Sequence, residues 1–97
     1  MATFISTFRF TEKGVGTIRE TAKRAAAFKP VAEKMGAKLI NAYWTLGPSD
    51  GVLIFEAPDD ETATAAMLQL ASAGNVHTST CRAFDASEIE KVIGKMK

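Results

Sequence analysis

The 97-residue chain carries one cysteine, Cys81, and one histidine, His77. A lone cysteine can form neither an internal disulfide nor a paired-thiol metal or redox site. A lone histidine without cysteine or carboxylate at ligand spacing makes no three- or four-ligand metal site. Charge of one sign is equally scarce. Twelve Lys and Arg stand against eleven Asp and Glu, a net charge of +1. Such a balance leaves no basic footprint for nucleic acid or an anionic membrane. Long apolar runs are missing, since no stretch approaches the ~18 residues of a membrane span. The opening Met1-Ala2-Thr3-Phe4 does not lead into a charged-then-apolar targeting segment. A reducing, cytoplasmic setting is the expectation. Gly14 and Gly16 lack the Lys-Ser/Thr ending of a phosphate-binding loop.

What is present is ordinary globular material. With 46% hydrophobic and 24% charged residues, the chain can build a core and reads as one domain over 1–97. Residues 2–10 alternate as a strand, with Phe4, Ser6, Phe8 and Phe10 on one face and Thr3, Ile5, Thr7 and Arg9 on the other. A turn at Thr11–Gly14 follows. From Thr17 to Met35 the period becomes helical, with Ile18, Ala22, Ala25, Val31 or Ala32, and Met35 as the apolar stripe. The Lys, Arg and Glu between them read as a solvated face. Pro30 predicts a kink or break near Ala26–Lys29.

Residues 37–46 form a second strand, with Ile40, Ala42, Trp44 and Leu46 opposed to Leu39, Asn41, Tyr43 and Thr45. Gly47-Pro48-Ser49-Asp50-Gly51 is hairpin chemistry, in which Asp50 serves a turn hydrogen bond. Residues 52–57 are apolar enough for a central strand covered on both faces. Pro58-Asp59-Asp60-Glu61, with an Asp N-cap, announces a helix that buries Ala63, Ala66, Met67 and Leu70 and stops at Gly74. Residues 76–85 alternate as a fourth strand. Ser87-Glu88-Ile89-Glu90 reads as a capping box opening a short last helix with Ile89, Val92, Ile93 and Met96.

The order β-α-β-β-α-β is the α+β, ferredoxin-like arrangement: a four-stranded antiparallel sheet with two helices on one face, plus a short C-terminal helix. The other face is open, and both faces carry too much apolar material for it to stay wet: Ile5 opposite Phe4 and Phe8, Tyr43 opposite Trp44, and Val52 and Ile54 opposite Leu53 and Phe55. Either a second copy covers it, giving a homodimer or larger homo-oligomer, or the last helix folds back over it. The former is the expectation, because the helix is short.

Several stretches resemble the GYD-domain family of the dimeric α+β barrel superfamily. They are Phe4-Ile5-Ser6, Thr11-Glu12-Lys13-Gly14, Arg24-Ala25, Tyr43-Trp44-Thr45-Leu46-Gly47, Asp50, Phe55 through Glu61, Gly74-Asn75-Val76 and Arg82-Ala83-Phe84. In place of the family's Tyr-Asp the chain has Ser49-Asp50. The resemblance implies the fold and pairing through the sheet. It implies no chemistry.

Six residues are candidates for a site: Arg9, Tyr43, Trp44, Glu56, His77 and Arg82. Histidine as a residue type suits acid–base work or ligation, so His77 is a candidate, yet it also fits a sheet-edge position. Glu56 in an apolar strand needs a partner, and Arg82 across an interface, or Arg9, would supply one. Tyr43 and Trp44 point to opposite faces, so only one can line a cleft on the open face; core packing is the plainer role for both. Cys81 reads as an inert buried thiol. Three functions stay open: a regulatory module that holds a small apolar ligand in the barrel, a small oxygenase-like enzyme of the superfamily, and a purely structural oligomer. No cofactor or metal is expected. Haem titration should leave the Soret band unshifted, and a shift that vanishes in His77→Ala would prove otherwise.

Overall fold

β1 (Ala2–Phe10) places Phe4, Ser6 and Phe8 on one side and is flanked by two antiparallel neighbours, β3 (Gly51–Ala57) and β4 (Val76–Ala83). β2 (Lys38–Trp44) completes the sheet beside β3, giving the order β2-β3-β1-β4. The computed structural model describes every residue from Met1 to Lys97. Between β1 and β2 run the short helix α1 (Glu12–Gly16), a 3-10 turn at Ile18–Glu20 and α2 (Thr21–Lys34). α3 (Asp60–Ser72) joins β3 to β4, and α4 (Ala86–Ile93) follows the sheet. This is the ferredoxin-like α+β fold, with α2 over β2 and α3 over β4 on one face.

The core lies between that face and the helices. Phe4 and Phe55, on adjacent central strands, stack with ring centroids 5.4 Å apart. Ala63, Ala66 and Met67 of α3 and Phe28 and Ala32 of α2 close over them. The small alanines let the helix backbones settle near the sheet. Ser6 is fully buried in this apolar layer, and its hydroxyl accepts a hydrogen bond from Thr80 Oγ1 at 2.9 Å. That bond removes the penalty of an unmet buried hydroxyl.

Five local expectations change. The turn expected at Thr11–Gly14 is the start of helix α1, whose cap Thr11 Oγ1 accepts from Gly14 N–H at 3.1 Å. The apolar stripe of α2 is turned: Phe28 is buried, while Ala22 and Ile18 are exposed. Phe28 has the largest apolar side chain in the helix, and Thr21, Arg24, Ala25, Ala32 and Met35 share its face at 3.6-residue spacing. Pro30 does not break α2, which runs through it. The interruption falls earlier, at the 3-10 turn. In β2 a bulge between Leu39 and Asn41 spoils strict alternation. Leu39 joins Ala42 and Trp44 on the helix face, and Ile40 is left exposed. The last helix is capped two residues earlier than its sequence suggested, at Asp85, whose carboxylate accepts from Glu88 N–H at 2.7 Å while Glu88 accepts from Asp85 N–H at 3.2 Å.

The end of the sheet where β1 stops is tied by backbone bonds. Asp50 Oδ2 accepts from Phe10 N–H at 2.8 Å, and Asp50 N–H donates to Phe8 O at 2.8 Å. This is more than a turn bond, since it pins the 45–50 loop to β1. Nearby, Thr11 N–H donates to Asn75 O at 3.1 Å and Thr11 Oγ1 to Gly74 O at 2.6 Å. Gly14 packs against the same Asn75 carbonyl so closely that a Cβ would overlap it. Gly14→Ala should therefore cost about 1–3 kcal/mol in urea unfolding. Gly16→Ala, with open space around it, is the control and should cost far less.

Candidate functional site

Sheet parity sorts the six candidate residues onto two faces. Register pairs Tyr43 with Val52, Val52 with Thr7 and Thr7 with Ser79, a row on the face without helices. The next row toward the middle is Asn41, Ile54, Ile5 and Cys81. Arg9 and His77 are direct neighbours at one end of this face, and both are exposed. At the opposite end Glu56 lies between Lys38 and Thr3. Arg9, Tyr43, Glu56 and His77 thus share a face but not a cluster. Trp44 and Arg82 belong to the helix face, again at opposite ends of the sheet.

The structure gives Arg82 a partner in its own chain. Its Nη2 donates to Glu88 Oε2 at 2.8 Å, and its Nη1 donates to Thr3 O at 3.3 Å and to Ala83 O. The guanidinium also lies 4.5 Å from the Phe84 ring centroid and 5.9 Å from that of Phe4. An ion pair between Glu56 and Arg82 across an interface loses its basis, because the two occupy opposite faces and the guanidinium is already engaged. The α4 capping box is the reason: it holds Glu88 beside β4. Cys81 is exposed on the helix-free face rather than buried, with Sγ donating to Ile5 O at 3.5 Å. Edge position explains the difference, since β4 has a neighbour on one side only.

Nothing in the chain covers the helix-free face. α4 stays off it, held by Arg82, and carries its own unpartnered stripe: Ile89, Val92, Ile93 and Met96 are 41%, 43%, 54% and 75% exposed. Tyr43, on the sheet, is 52% exposed. The result is a slab with principal extents of 51 × 31 × 17 Å.

The helix face has a different feature. A groove of about 300 Å³ opens between α2 and the end of α3, with the sheet as its floor. Phe28, Leu39 and Leu53 form its apolar depth, while Arg24, Thr21 and Asn75 lie along its rim. Trp44 stands in the wall, Nε1 donating to Thr21 Oγ1 at 3.0 Å. A second depression of about 440 Å³ lies between α3 and β4, bordered by Met67, Thr78 and Arg82. In the sequence Arg24 stands among the charges of a solvated helix face. Its spacing of four from Phe28 was the available signal.

The carboxyl of Glu88 is held below its ordinary value, first by the hydrogen bond from Arg82 and then by that from Asp85 N–H. Asp59 is lowered likewise, by the Thr62 N–H it caps.

Comparison with known proteins agrees with this fold. Residues 4–93 match the model of the GYD domain. A Thermus thermophilus protein, "Glutamine synthetase and cystathionine beta-lyase binding protein", is 34% identical over 90 residues, covering 92% of this chain and 95% of that one. The crystal structure of TTHA0845, also from Thermus thermophilus, superposes with a TM-score of 0.57 at 23% identity, over 89% of this chain and 96% of that one. The crystal structure of MtbAldR gives a TM-score of 0.68 at 14% identity. The matched part is 87% of this chain but only 52% of MtbAldR, so the chain spans about half its length. These two structures bear on the fold alone.

A lowered carboxyl stabilises the folded form above its unfolded titration range and loses that contribution as pH falls through the folded value. The tether of α4 should therefore hold at neutral pH and slacken in acid below the usual glutamate range. NMR amide exchange across residues 86–93 should show it. Glu88→Gln should loosen α4 already at pH 7 and flatten the acid dependence.

Proposed function

Because the chain belongs to the GYD-domain family, we propose that it works as a homo-oligomer, paired through its helix-free sheet faces, that binds metabolic enzymes and regulates them. The observation that carries the pairing is the shape. A compact monomer of 10.4 kDa exposes about 5,400 Å², whereas this chain exposes 6603 Å². The radius of gyration of 14.5 Å likewise exceeds the roughly 12.5 Å of a compact chain of this length. The excess area is of the order that one partner buries in a stable interface, about 800 Å². A second sheet laid on Ile5, Val52, Ile54 and Tyr43 would add the missing layer. In this arrangement the apolar stripe of α4 is available to the second copy.

The protein-binding role is supported by the Thermus relative, whose name describes a binding protein of two enzymes. Balanced charge argues against nucleic acid as the partner. No helix is long and apolar enough to cross a membrane. The exposed free thiol of Cys81 suits the reducing cytoplasm proposed as its setting. No observation favours the oxygenase-like enzyme, since its candidate residues lie on two faces and at both ends of the sheet. Barrel closure by two such faces would also enclose a space for a small apolar ligand.

Light scattering at micromolar concentration should give at least two chain masses, and co-sedimentation with glutamine synthetase should retain the oligomer. Ile54→Lys puts a charge in the centre of the face and should shift the mass to 10.4 kDa while far-UV circular dichroism is kept. A wild-type monomer would refute the pairing.

A further inference from the structure

We propose that the groove between α2 and α3 is a binding site for a small amphipathic carboxylate, with its apolar body along Phe28, Leu39 and Leu53 and its carboxylate on Arg24. The site is on the helix face and is independent of sheet pairing.

Its volume of about 300 Å³ lies at the lower end of small-molecule sites, roughly 300–1,000 Å³. Twelve of the sixteen lining residues are hydrophobic, and the polar ones include Arg24, Thr21 and Asn75 at the rim. An apolar trough with a few polar groups is how such sites orient a ligand.

Arg24 sets the chemical class. It is half-buried, and its hydrogen bonds all go to neutral oxygens of its own chain: Nη1 to Thr17 O at 2.9 Å and Thr17 Oγ1 at 2.8 Å, Nη2 to Gly14 O at 3.5 Å. The chain's one ion pair joins Arg82 to Glu88, so no carboxylate balances Arg24. A guanidinium has five N–H donors in a rigid fork, and the three bonds leave Nε–H and one Nη2 hydrogen free. Those bonds also fix the side chain, so little freedom is lost when an anion docks. A carboxylate fits that fork better than a point cation's partner would. A neutral ligand would gain the trough but leave the cation unmatched.

Trp44 is the only tryptophan and stands in the wall, so its fluorescence reports occupancy without a label. Octanoate should change Trp44 emission saturably, and octanol should bind at least roughly tenfold more weakly, the difference being one charge-assisted hydrogen-bonded contact. Arg24→Met should weaken octanoate to the level of octanol without changing octanol itself. Ala25→Phe, which fills the trough from α2, should abolish both. NMR shifts on octanoate addition should centre on Val31 and Leu53, not on Ile5 and Ile54. Equal binding of octanoate and octanol by the wild type, which needs no variant to fold, would overturn the carboxylate assignment. No saturable Trp44 response, or shifts confined to Ile5 and Ile54, would overturn the site.

Discussion

The stack of Phe4 on Phe55 joins the two central strands and receives both main helices, and the rest of the molecule is arranged around it. Because β1 and β3 are central, their inward residues are covered from above by the helices and from both sides by neighbouring strands. Phe55 is accordingly 1% exposed. The layer is thin, however. It relies on alanines and one methionine from α3 and on Phe28 and Ala32 from α2, so most of the apolar gain comes from aromatic area on the sheet. All of this stabilisation acts on one face.

That one-sidedness explains why the opposite face is apolar yet uncovered. A strand alternates its side chains, so each central strand that sends Phe or Leu inward must send its other residues outward. Here the outward residues of β3 are Val52, Ile54 and Glu56, and those of β1 include Ile5 between two threonines. Ser79 and Cys81 on β4 and Tyr43 on β2 complete a surface with few charges in its middle. Polar groups sit at its two ends, Arg9 and His77 at one and Glu56 with Lys38 at the other. An apolar centre with a polar rim is the usual layout of a protein interface.

Polar bonds secure the end of the sheet where β1 stops. Asp50 is the acidic residue of the signature by which the family resemblance was read. Its carboxylate accepts from Phe10 N–H, so its role in this chain is to hold the loop before β3 against β1. The Ser49 that stands where the family has Tyr contributes a backbone carbonyl to Thr45 Oγ1 at 2.7 Å, a bond that needs no particular side chain at 49. Thr11, Gly14 and Asn75 fasten the neighbouring α3–β4 connection at the same end. These contacts also fix the mouth of the groove, because Arg24 bonds to Gly14 and Thr17 while Asn75 forms part of the rim.

The four strands and the three longer helices were legible in the residue pattern, whereas α1 was expected as a turn. Alternation defined β1 and β4, turn chemistry placed the hairpin, and the acidic run after Pro58 with Gly74 bracketed α3, whose cap the structure assigns to Asp59. The βαββαβ order then allowed few folds, since crossover handedness puts both helices on one side. Parity along β2 likewise set Tyr43 opposite Trp44. What the pattern could not decide were features set by contacts distant in sequence. Phe28 chose the buried face of α2 by finding the sheet, and the bulge at Ile40 reversed the parity of Leu39. Arg82 met Glu88 because the α4 cap brought it there, and Arg24 became the rim of a groove only when α3 closed the other side. Periodicity reports the environment of a residue relative to its own neighbours in the chain, and a site is made where separate elements meet.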